Sequence, residues 1–459
     1  MRKRNAVRAA AAALAAMMAL TACGGGGGNE TTAAAGGDTG STAAGGDAAA
    51  SGSGEVGKTD ITVAMGADIV TLDPAGQQDT TTAVVIKHAY STLLDISDEG
   101  ELVPDLAESY ELVNDTDFVF KLREDAVWSD GTPVTANDVK FTFDRAKNMP
   151  KTKSNTSKVK EVVVDNEHQV TIKLTEPYAP FNTIVASSNL SIVQEAAVTA
   201  AGEAYGDADN IVTSGPFTVK EWVPNDHYTL EKNANYWGEE PITTSITVRV
   251  IPEGSARAIA LETGEVDLVW GVDPTDCSNI EANSDVKLLS QPSSSIEYLG
   301  MNMTKEHFKD QKVRQAINYA INKDAYVAVV KNGNSQPGTS VIAPKLQYYK
   351  GNDPYPYDIE KAKSLLAEAG YPDGFKTTLI FANTSANMKQ GEFLKQQLAE
   401  VGIDVELISL ESAIVNEKIQ DTDAPGAEAE VDMYIIGWSS STGDADWGIR
   451  PLLAKESEP

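Results

Sequence analysis

The sequence predicts a mixed α/β fold that is divided into more than one domain. Apolar residues alternate at every second position in several short segments, which is typical of strands with one buried face. In other segments apolar residues recur every three to four positions, as they do along one face of a helix. The chain is 459 residues long, which is more than one hydrophobic core normally accommodates.

The individual elements follow from these two periods. Alternation predicts strands at 118–122, 170–174 and 246–250. Four-residue spacing predicts a helix over 313–321 and a second one that starts after Asp358, which can cap it, and ends at Gly370. No internal repeat is evident, so these elements indicate a mixed α/β body.

The N-terminus predicts export and lipidation. The first 23 residues, MRKRNAVRAAAAALAAMMALTAC, combine a basic start with a short apolar run at 9–20. That run is too short to cross a bilayer as a helix, so residues 1–22 are interpreted as a signal peptide. Its end resembles the bacterial lipobox, which makes Cys23 the expected lipidation site. Residues 23–58 are rich in Gly, Ala, Ser and Thr and predict a flexible tether.

Charge and cysteine usage exclude several classes of protein. The formal net charge is −30, and a chain this acidic repels nucleic-acid phosphates, so we expect no nucleic-acid partner. The two cysteines are Cys23 and Cys277, and the first is assigned to lipid. The chain is therefore neither a disulfide scaffold nor a cysteine-ligated metal protein.

Motifs that would indicate an enzyme are missing or stand in the wrong context. Residues 52–59 match the phosphate-loop pattern GxxxxGK[ST], but a low-complexity segment precedes them and a predicted strand follows. The segment at 421–426 resembles a calcium loop poorly, because Pro425 stands at a ligand position. GxSxG and HExxH are absent, and the four histidines are widely spaced. We therefore predict no catalytic residues, no metal site and no cofactor.

Ten sequence blocks, in the order in which they occur along the chain, resemble one family: the bacterial extracellular solute-binding proteins of the oligopeptide, dipeptide and nickel class, known as family 5. The blocks are TLDPA at 71–75, LVPDLAES at 102–109, FKLR at 120–123 running into VWSDGTPVTANDVKF at 127–141, SGPF at 214–217 with Trp222, NANYW at 233–237, TGEVD at 263–267, YLGMN at 298–302, FKDQKVRQAINYA at 308–320, AKSLLAEAGY at 362–371 and GW at 437–438.

The resemblance implies a two-lobed periplasmic-binding-protein-like fold of type II, with an extra subdomain in lobe one and ligand enclosed between the lobes. Mapped onto this sequence, lobe one is 59–95 and 205–298, the accessory subdomain is 96–204, and lobe two is 299–459. It also implies a monomeric receptor that delivers a small molecule or short peptide to the permease subunits of an ABC importer. The expected location is the outer face of the plasma membrane or the periplasm.

Three segments map onto ligand-contact positions of peptide-binding relatives. Burying a peptide requires partners for its amides, and aromatic side chains add contact area at little cost in entropy. The expected ligand-binding residues are Gln78, Asp79, Thr80, Trp270, Trp438, Ser439, Ser441 and Asp444.

Departures from the family pattern leave the ligand open. Ser441 stands where many peptide-binding members carry an aspartate for the peptide amine, and Ile435 stands where some carry an arginine. Asp444 or Asp446 could supply the missing carboxylate. A short peptide is favoured, while a nickel chelate or an oligosaccharide remains an alternative on the same scaffold. An extracellular hydrolase is the alternative of another class, and a signalling receptor would use the same lobe closure.

The resemblance also predicts that the family pattern continues beyond this sequence. Only 21 residues follow Trp438, where relatives continue for on the order of 100 residues and complete the first lobe. We therefore expect the 459-residue form to express poorly or to bind ligand weakly, unless it is a natural short variant whose first lobe closes without that segment.

Overall fold

The computed structural model describes residues 57–97, 100–346, 349–420, 430–440 and 443–453. The predicted signal peptide, Cys23 and nearly all of the tether lie outside the described residues, as does the acidic segment at 421–426. Within the described part of the chain, no helix combines the length and the apolar character needed to cross a membrane.

The described residues form fifteen β-strands and fourteen α-helices. The strands are β1 (Asp60–Met65), β2 (Leu94–Ile96), β3 (Leu102–Pro104), β4 (Ala107–Asn114), β5 (Asp117–Leu122), β6 (Val159–Asn166), β7 (Gln169–Leu174), β8 (Phe217–Val223), β9 (His227–Lys232), β10 (Ser245–Val250), β11 (Leu268–Val269), β12 (Ser295–Met301), β13 (Lys376–Ala382), β14 (Asp404–Leu410) and β15 (Met433–Ser439). The helices are α1 (Thr80–Ala89), α2 (Ala136–Ala146), α3 (Lys153–Thr156), α4 (Phe181–Ile184), α5 (Glu195–Ala201), α6 (Gly254–Glu262), α7 (Cys277–Ala282), α8 (Glu306–Lys309), α9 (Gln311–Ala320), α10 (Lys323–Val330), α11 (Ile359–Glu368), α12 (Ser385–Ala399), α13 (Ser412–Gln420) and α14 (Ala445–Leu453).

The first lobe is built on a five-stranded sheet with the order β11-β1-β10-β9-β8. Strand β1 is parallel to both of its neighbours, with Val63 opposite Val248 on one side and Leu268 on the other. The strands β10, β9 and β8 are joined antiparallel. Ile86 of α1 and Tyr228 of β9 are buried in the core that covers this sheet. Because β1, β10 and β11 are parallel, their carboxyl ends lie at one edge.

A four-stranded antiparallel sheet, β4-β5-β7-β6, lies within residues 96–204, which we call the accessory region. Phe118, Phe120 and Leu122 of β5 are buried, as period-two alternation predicts, and the strand predicted there is confirmed. Trp128 is completely buried beside a tight turn in which Gly131 has a φ of 84°, a conformation that suits glycine. The accessory region thus has its own hydrophobic core.

The second lobe is built on a four-stranded sheet with the order β12-β15-β13-β14. The strands β14, β13 and β15 are parallel, whereas β12 runs antiparallel to β15. Ser295 at the start of β12 lies opposite Ser439 at the end of β15. The lobe boundary expected at 298/299 therefore falls inside β12, all of which pairs with the second sheet.

The helices of the second lobe bury the faces that their periodicity predicts. Val313 and Ile317 of α9 lie in the core between the sheet and the helices. The carboxylate of Asp358 accepts a hydrogen bond from the backbone N–H of Lys361 at 2.9 Å, so the predicted N-cap of α11 is confirmed. Gly370, with a φ of 91°, follows the end of that helix.

A buried ion pair joins the first lobe to the accessory region. The guanidinium of Arg145 on α2 donates to both carboxylate oxygens of Asp73, at 2.9 and 2.5 Å. The Asp73 side chain is 8% exposed and that of Arg145 is 19% exposed. The TLDPA block therefore has a structural role, because Asp73 connects two separately packed parts of the chain.

Candidate ligand-binding site

Several of the predicted ligand residues lie at the carboxyl ends of parallel strands. Trp270 directly follows β11 in the first lobe, and Trp438 and Ser439 end β15 in the second. In open α/β sheets the carboxyl edge is the usual place for a ligand, because the loops that leave the strands there diverge and open a crevice. The two sheets therefore supply one such edge each.

Trp270 is held by its backbone while its side chain remains 53% exposed. Its N–H donates to the carbonyl of Ala64 at 2.9 Å, and the next residue, Gly271, has a φ of 78°. The buried guanidinium of Arg257 donates to the carbonyl oxygens of Gly271 and Ile251, at 2.9 and 2.8 Å. A large aromatic surface is thus presented to solvent from a strand end that is held by hydrogen bonds, which suits an apolar ligand contact.

The predicted residues at 78–80 begin α1. The carboxylate of Asp79 accepts a hydrogen bond from the N–H of Thr82 at 2.8 Å and caps the helix. The amide nitrogen of Gln78 donates to the carbonyl of Lys151 in the accessory region. Thr80 is exposed in the first turn. The capping role of Asp79 is sufficient to explain its carboxylate without a ligand.

Trp438 turns partly into the second lobe. Its indole N–H donates to the carbonyl of Trp447 at 2.8 Å, and the two rings stack with centroids 6.3 Å apart. The hydroxyl of Ser439 lies 3.4 Å from that of Ser294, which precedes β12. The hydrogen-bond donor of Trp438 is therefore used within the lobe.

Hydrogen bonds join the described residues on either side of positions 441–442. The hydroxyl of Ser440 donates to the carbonyl of Asp444 at 2.6 Å, and the carboxylate of Asp444 accepts from the N–H of Asp446 at 2.7 Å. Ser441, which stands at the position of the family aspartate, lies outside the described residues.

Asp446 connects the second lobe with the accessory region. Its carboxylate accepts hydrogen bonds from the hydroxyl of Tyr178 at 2.5 Å and from Nε of Arg450 at 2.9 Å. The guanidinium of Arg450 also lies over the Tyr178 ring, 5.6 Å from its centroid. Burial, followed by the hydrogen bond to Asp446, raises the pKa of Tyr178, so its hydroxyl stays protonated and remains a donor. Asp446 is therefore engaged within the protein.

A polar group that sequence reasoning missed lies at the edge of the second sheet. Glu297 of β12 accepts hydrogen bonds from the hydroxyl of Tyr326 at 2.6 Å and from Nε2 of Gln390 at 2.8 Å. The ammonium of Lys331 lies 3.0 Å from one oxygen of the Glu297 carboxylate and 2.9 Å from the other. These partners are 29, 93 and 34 residues from Glu297 along the chain, so no local pattern signals the group.

Among the described residues of the second lobe, two pockets are of interest. The larger, about 400 Å³, lies at the start of α10 and contains none of the predicted ligand residues. The smaller, about 260 Å³, lies where β13 and β15 end; Glu297, Asn387, Asn416, Ile435 and Gly437 are among the residues that line it. The smaller pocket also contains none of the predicted ligand residues, but Gly437 in its wall directly precedes Trp438, so we include this pocket in the candidate site.

Among the described residues, no group of three or more His, Cys, Asp or Glu side chains is placed to hold a metal ion.

The phosphate-loop pattern at 52–59 extends into the described residues only at its end. There, Lys58 pairs with Asp267 at 2.6 Å and the strand β1 starts at Asp60. A strand thus follows this pattern, where a phosphate loop requires a helix.

Comparison with known proteins identifies the family. Residues 101–458 match the sequence model described as "Bacterial extracellular solute-binding proteins, family 5 Middle". The glutathione-binding protein GsiB of Escherichia coli (strain K12) is 35% identical over 407 residues, which cover 87% of this chain and 78% of that protein.

Solved structures agree with this assignment. The ABC transporter-associated periplasmic binding protein DppA from Helicobacter pylori, in complex with the peptide STSA, has a TM-score of 0.77 and 28% identity over 84% of this chain and 79% of that chain. AgaA from A. tumefaciens R10, in complex with agropinic acid, has a TM-score of 0.75 and 26% identity over the same shares of the two chains, 84% and 79%. The fold and the solute-receptor role predicted from the ten blocks are confirmed: this chain belongs to the bacterial extracellular solute-binding proteins of family 5 and has their two-lobed α/β fold.

Proposed function

We propose that this protein is the receptor of an ABC importer and that it captures a short peptide between its two lobes. Binding closes the lobes over the ligand, and the closed form is presented to the permease. The ligand contacts come from the carboxyl edges of both sheets, with Trp270 on the first lobe and the pocket beside Gly437 on the second.

The exposed indole of Trp270 carries this proposal. A tryptophan that is 53% exposed at the end of a parallel edge strand offers a large aromatic surface and suits a contact that a ligand covers. The similarity to GsiB, whose name states that it binds glutathione, and to DppA, solved with the peptide STSA, supports a short peptide as the ligand.

The proposal includes a monomer that is anchored by acyl chains on Cys23 and that does not alter its ligand. The anchor is supported by the sequence Leu20-Thr-Ala-Cys23 and by the tether that follows it. The relatives named above are binding proteins, which supports a receptor without catalysis.

Calorimetric titration with glutathione and with the tetrapeptide Ser-Thr-Ser-Ala tests the ligand class. We expect saturable binding of at least one of them, together with a change in tryptophan fluorescence as Trp270 is covered. Nickel–histidine complexes and oligosaccharides serve as the competing ligand classes. Binding of one of these, with no response to any peptide, contradicts the proposal.

Mass spectrometry of the bound peptide separates a receptor from a hydrolase. After several hours with the protein, the peptide should be recovered with its original mass. Cleavage that increases with protein concentration would assign the protein to the class of extracellular hydrolases.

A further inference from the structure

The pocket at the carboxyl edge of the second sheet has a wall whose charge is balanced by an internal ion pair. Of the residues that line this pocket in the described part of the chain, Glu297 alone is charged. Both of its carboxylate oxygens face the ammonium of Lys331, at 3.0 and 2.9 Å. The pair therefore adds no net charge to the pocket.

The carboxylate of Glu297 is fixed by further neutral donors. Tyr326 donates to one oxygen at 2.6 Å, and Gln390, which is buried, donates to the other at 2.8 Å. Burial, together with the neighbouring charge of Glu297, raises the pKa of Tyr326, so that its hydroxyl remains a donor at neutral pH. Four hydrogen bonds or ion-pair contacts thus hold the Glu297 side chain, and its orientation is set without any ligand.

The same donors form a set that would suit an anionic group of a ligand. An ammonium, a phenol hydroxyl and an amide N–H that point to one place are the usual partners of a carboxylate. In this chain Glu297 itself occupies that place. The Glu297 side chain lines the pocket and is 34% exposed, whereas Lys331, 20% exposed, contacts Glu297 without lining the pocket itself.

We infer that the Glu297–Lys331 pair determines which ligand side chains this pocket accepts: it favours an uncharged, hydrogen-bonding side chain and rejects a charged one. This inference rests on the proposed function and specifies the ligand at the same site. A carboxylate or an ammonium brought into the pocket loses its hydration and finds no net opposite charge there, because Glu297 and Lys331 already neutralise each other. An amide can instead bond with the neutral polar groups of Asn387 and Asn416 in the wall.

Each single substitution should change the pocket's preference between acidic and basic side chains. The two substitutions should change it in opposite directions. In Glu297→Gln the amide keeps the shape of the side chain, but Lys331 loses its counter-ion and the wall becomes positive. In Lys331→Met the wall becomes negative. One unit charge in a partly buried pocket is enough to change affinity by about tenfold or more. The double variant restores a neutral wall.

Nine tripeptides test the inference by calorimetric titration: trialanine in which each of the three positions in turn carries Gln, Glu or Lys. The wild type should prefer Gln over both charged residues at one position, the one whose side chain enters the pocket. At that position Glu297→Gln should raise the Glu-to-Gln affinity ratio by about tenfold, and Lys331→Met should raise the Lys-to-Gln ratio similarly. The double variant should return both ratios to wild-type values.

Glu306→Gln is the matched control, because it removes one negative charge from the second lobe at an exposed ion pair with Lys309. It should leave all the ratios unchanged, which separates the local effect from the effect of net charge. Thermal unfolding of each variant checks that it is folded.

The outcomes separate the inference from the proposed function. If the wild type binds tripeptides but neither single variant changes any ratio, the inference is overturned while the peptide receptor stands. If the two variants change the ratios in the same direction, a charge-selective wall is also overturned. If the wild type binds none of the nine tripeptides, nor glutathione, nor Ser-Thr-Ser-Ala, the proposed function fails and the inference fails with it.

Discussion

Removing one partner of the ion pair between Asp73 and Arg145 should destabilise the protein more than any surface charge substitution. Asp73→Asn leaves the guanidinium of Arg145 buried without its counter-ion, and Arg145→Met does the same to the carboxylate of Asp73. With side chains only 8% and 19% exposed and two hydrogen bonds at 2.9 and 2.5 Å, this pair falls in the buried class. Breaking such a pair costs about 3–5 kcal/mol in the free energy of unfolding.

Urea unfolding of the wild type, the two single variants and the double variant measures this effect. Each single variant should lose about 3–5 kcal/mol. The double variant should lose much less than the sum of the two, because it leaves no uncompensated charge. A coupling energy of about 2 kcal/mol or more is therefore expected from the double-mutant cycle.

The exposed pair Lys140–Asp144 on the same helix, α2, is the matched control. Lys140→Met should change the free energy of unfolding by less than about 1 kcal/mol, because water and salt screen an exposed pair. The reasoning is refuted if Asp73→Asn costs no more than this control, or if the two substitutions at the buried pair are additive.

Further predictions concern pH, ligand contact, lobe closure and anchoring. Burial raises the pKa of Asp105 to about 7 from its ordinary 3.8, so folding favours its protonated form; the stability from this group is complete below about pH 4 and is lost as the pH rises to about 7. Relative to the wild type, Asp105→Asn should therefore gain in melting temperature between pH 4 and 8, and a constant difference would contradict the assigned cause. Trp270→Ala should weaken peptide binding by about 1–4 kcal/mol by calorimetry, and unchanged affinity in the folded variant would remove Trp270 from the site. Tyr178→Phe removes the hydroxyl that donates to Asp446 and should lower ligand affinity about fivefold if that contact helps to hold the closed form; equal affinities would argue against this. Cys23→Ser should move the protein from the membrane to the soluble fraction, and a variant that stays with the membrane would place the anchor elsewhere.

Glu297 illustrates what could not be predicted from the sequence. It lies in an alternating strand segment, where a polar residue is expected on the exposed face, and nothing near it in sequence is a partner. Its three partners come from α10, from the residue that follows α10, and from α12, and they meet Glu297 only because those helices pack beside β12. The function of such a residue depends on distant contacts, and a single sequence contains no local signal for them.

The tryptophans show the same limit at the predicted site. Trp270 follows β11 and Trp438 lies near the end of β15. The sequence alone predicts both of them equally as ligand contacts. In the fold, the indole of Trp438 donates to Trp447 within the second lobe, whereas that of Trp270 remains largely exposed. The direction of each ring is set by strand register and by what packs against it, which local sequence does not specify.

Local physical chemistry was enough to predict the strand at 118–122, the helix cap at Asp358 and the mixed α/β class, because alternation and capping depend on neighbours within a few residues. The ten blocks also identified the family, since each is a short local pattern. Only the tertiary structure decided that Asp73 is paired with Arg145 and that Glu297 neutralises Lys331. Asp73 and Arg145 are separated by 72 positions in the sequence, and Glu297 and Lys331 by 34. The free energy of a buried charge depends on which groups the fold brings within about 3 Å of it, and the sequence near each residue does not specify those groups.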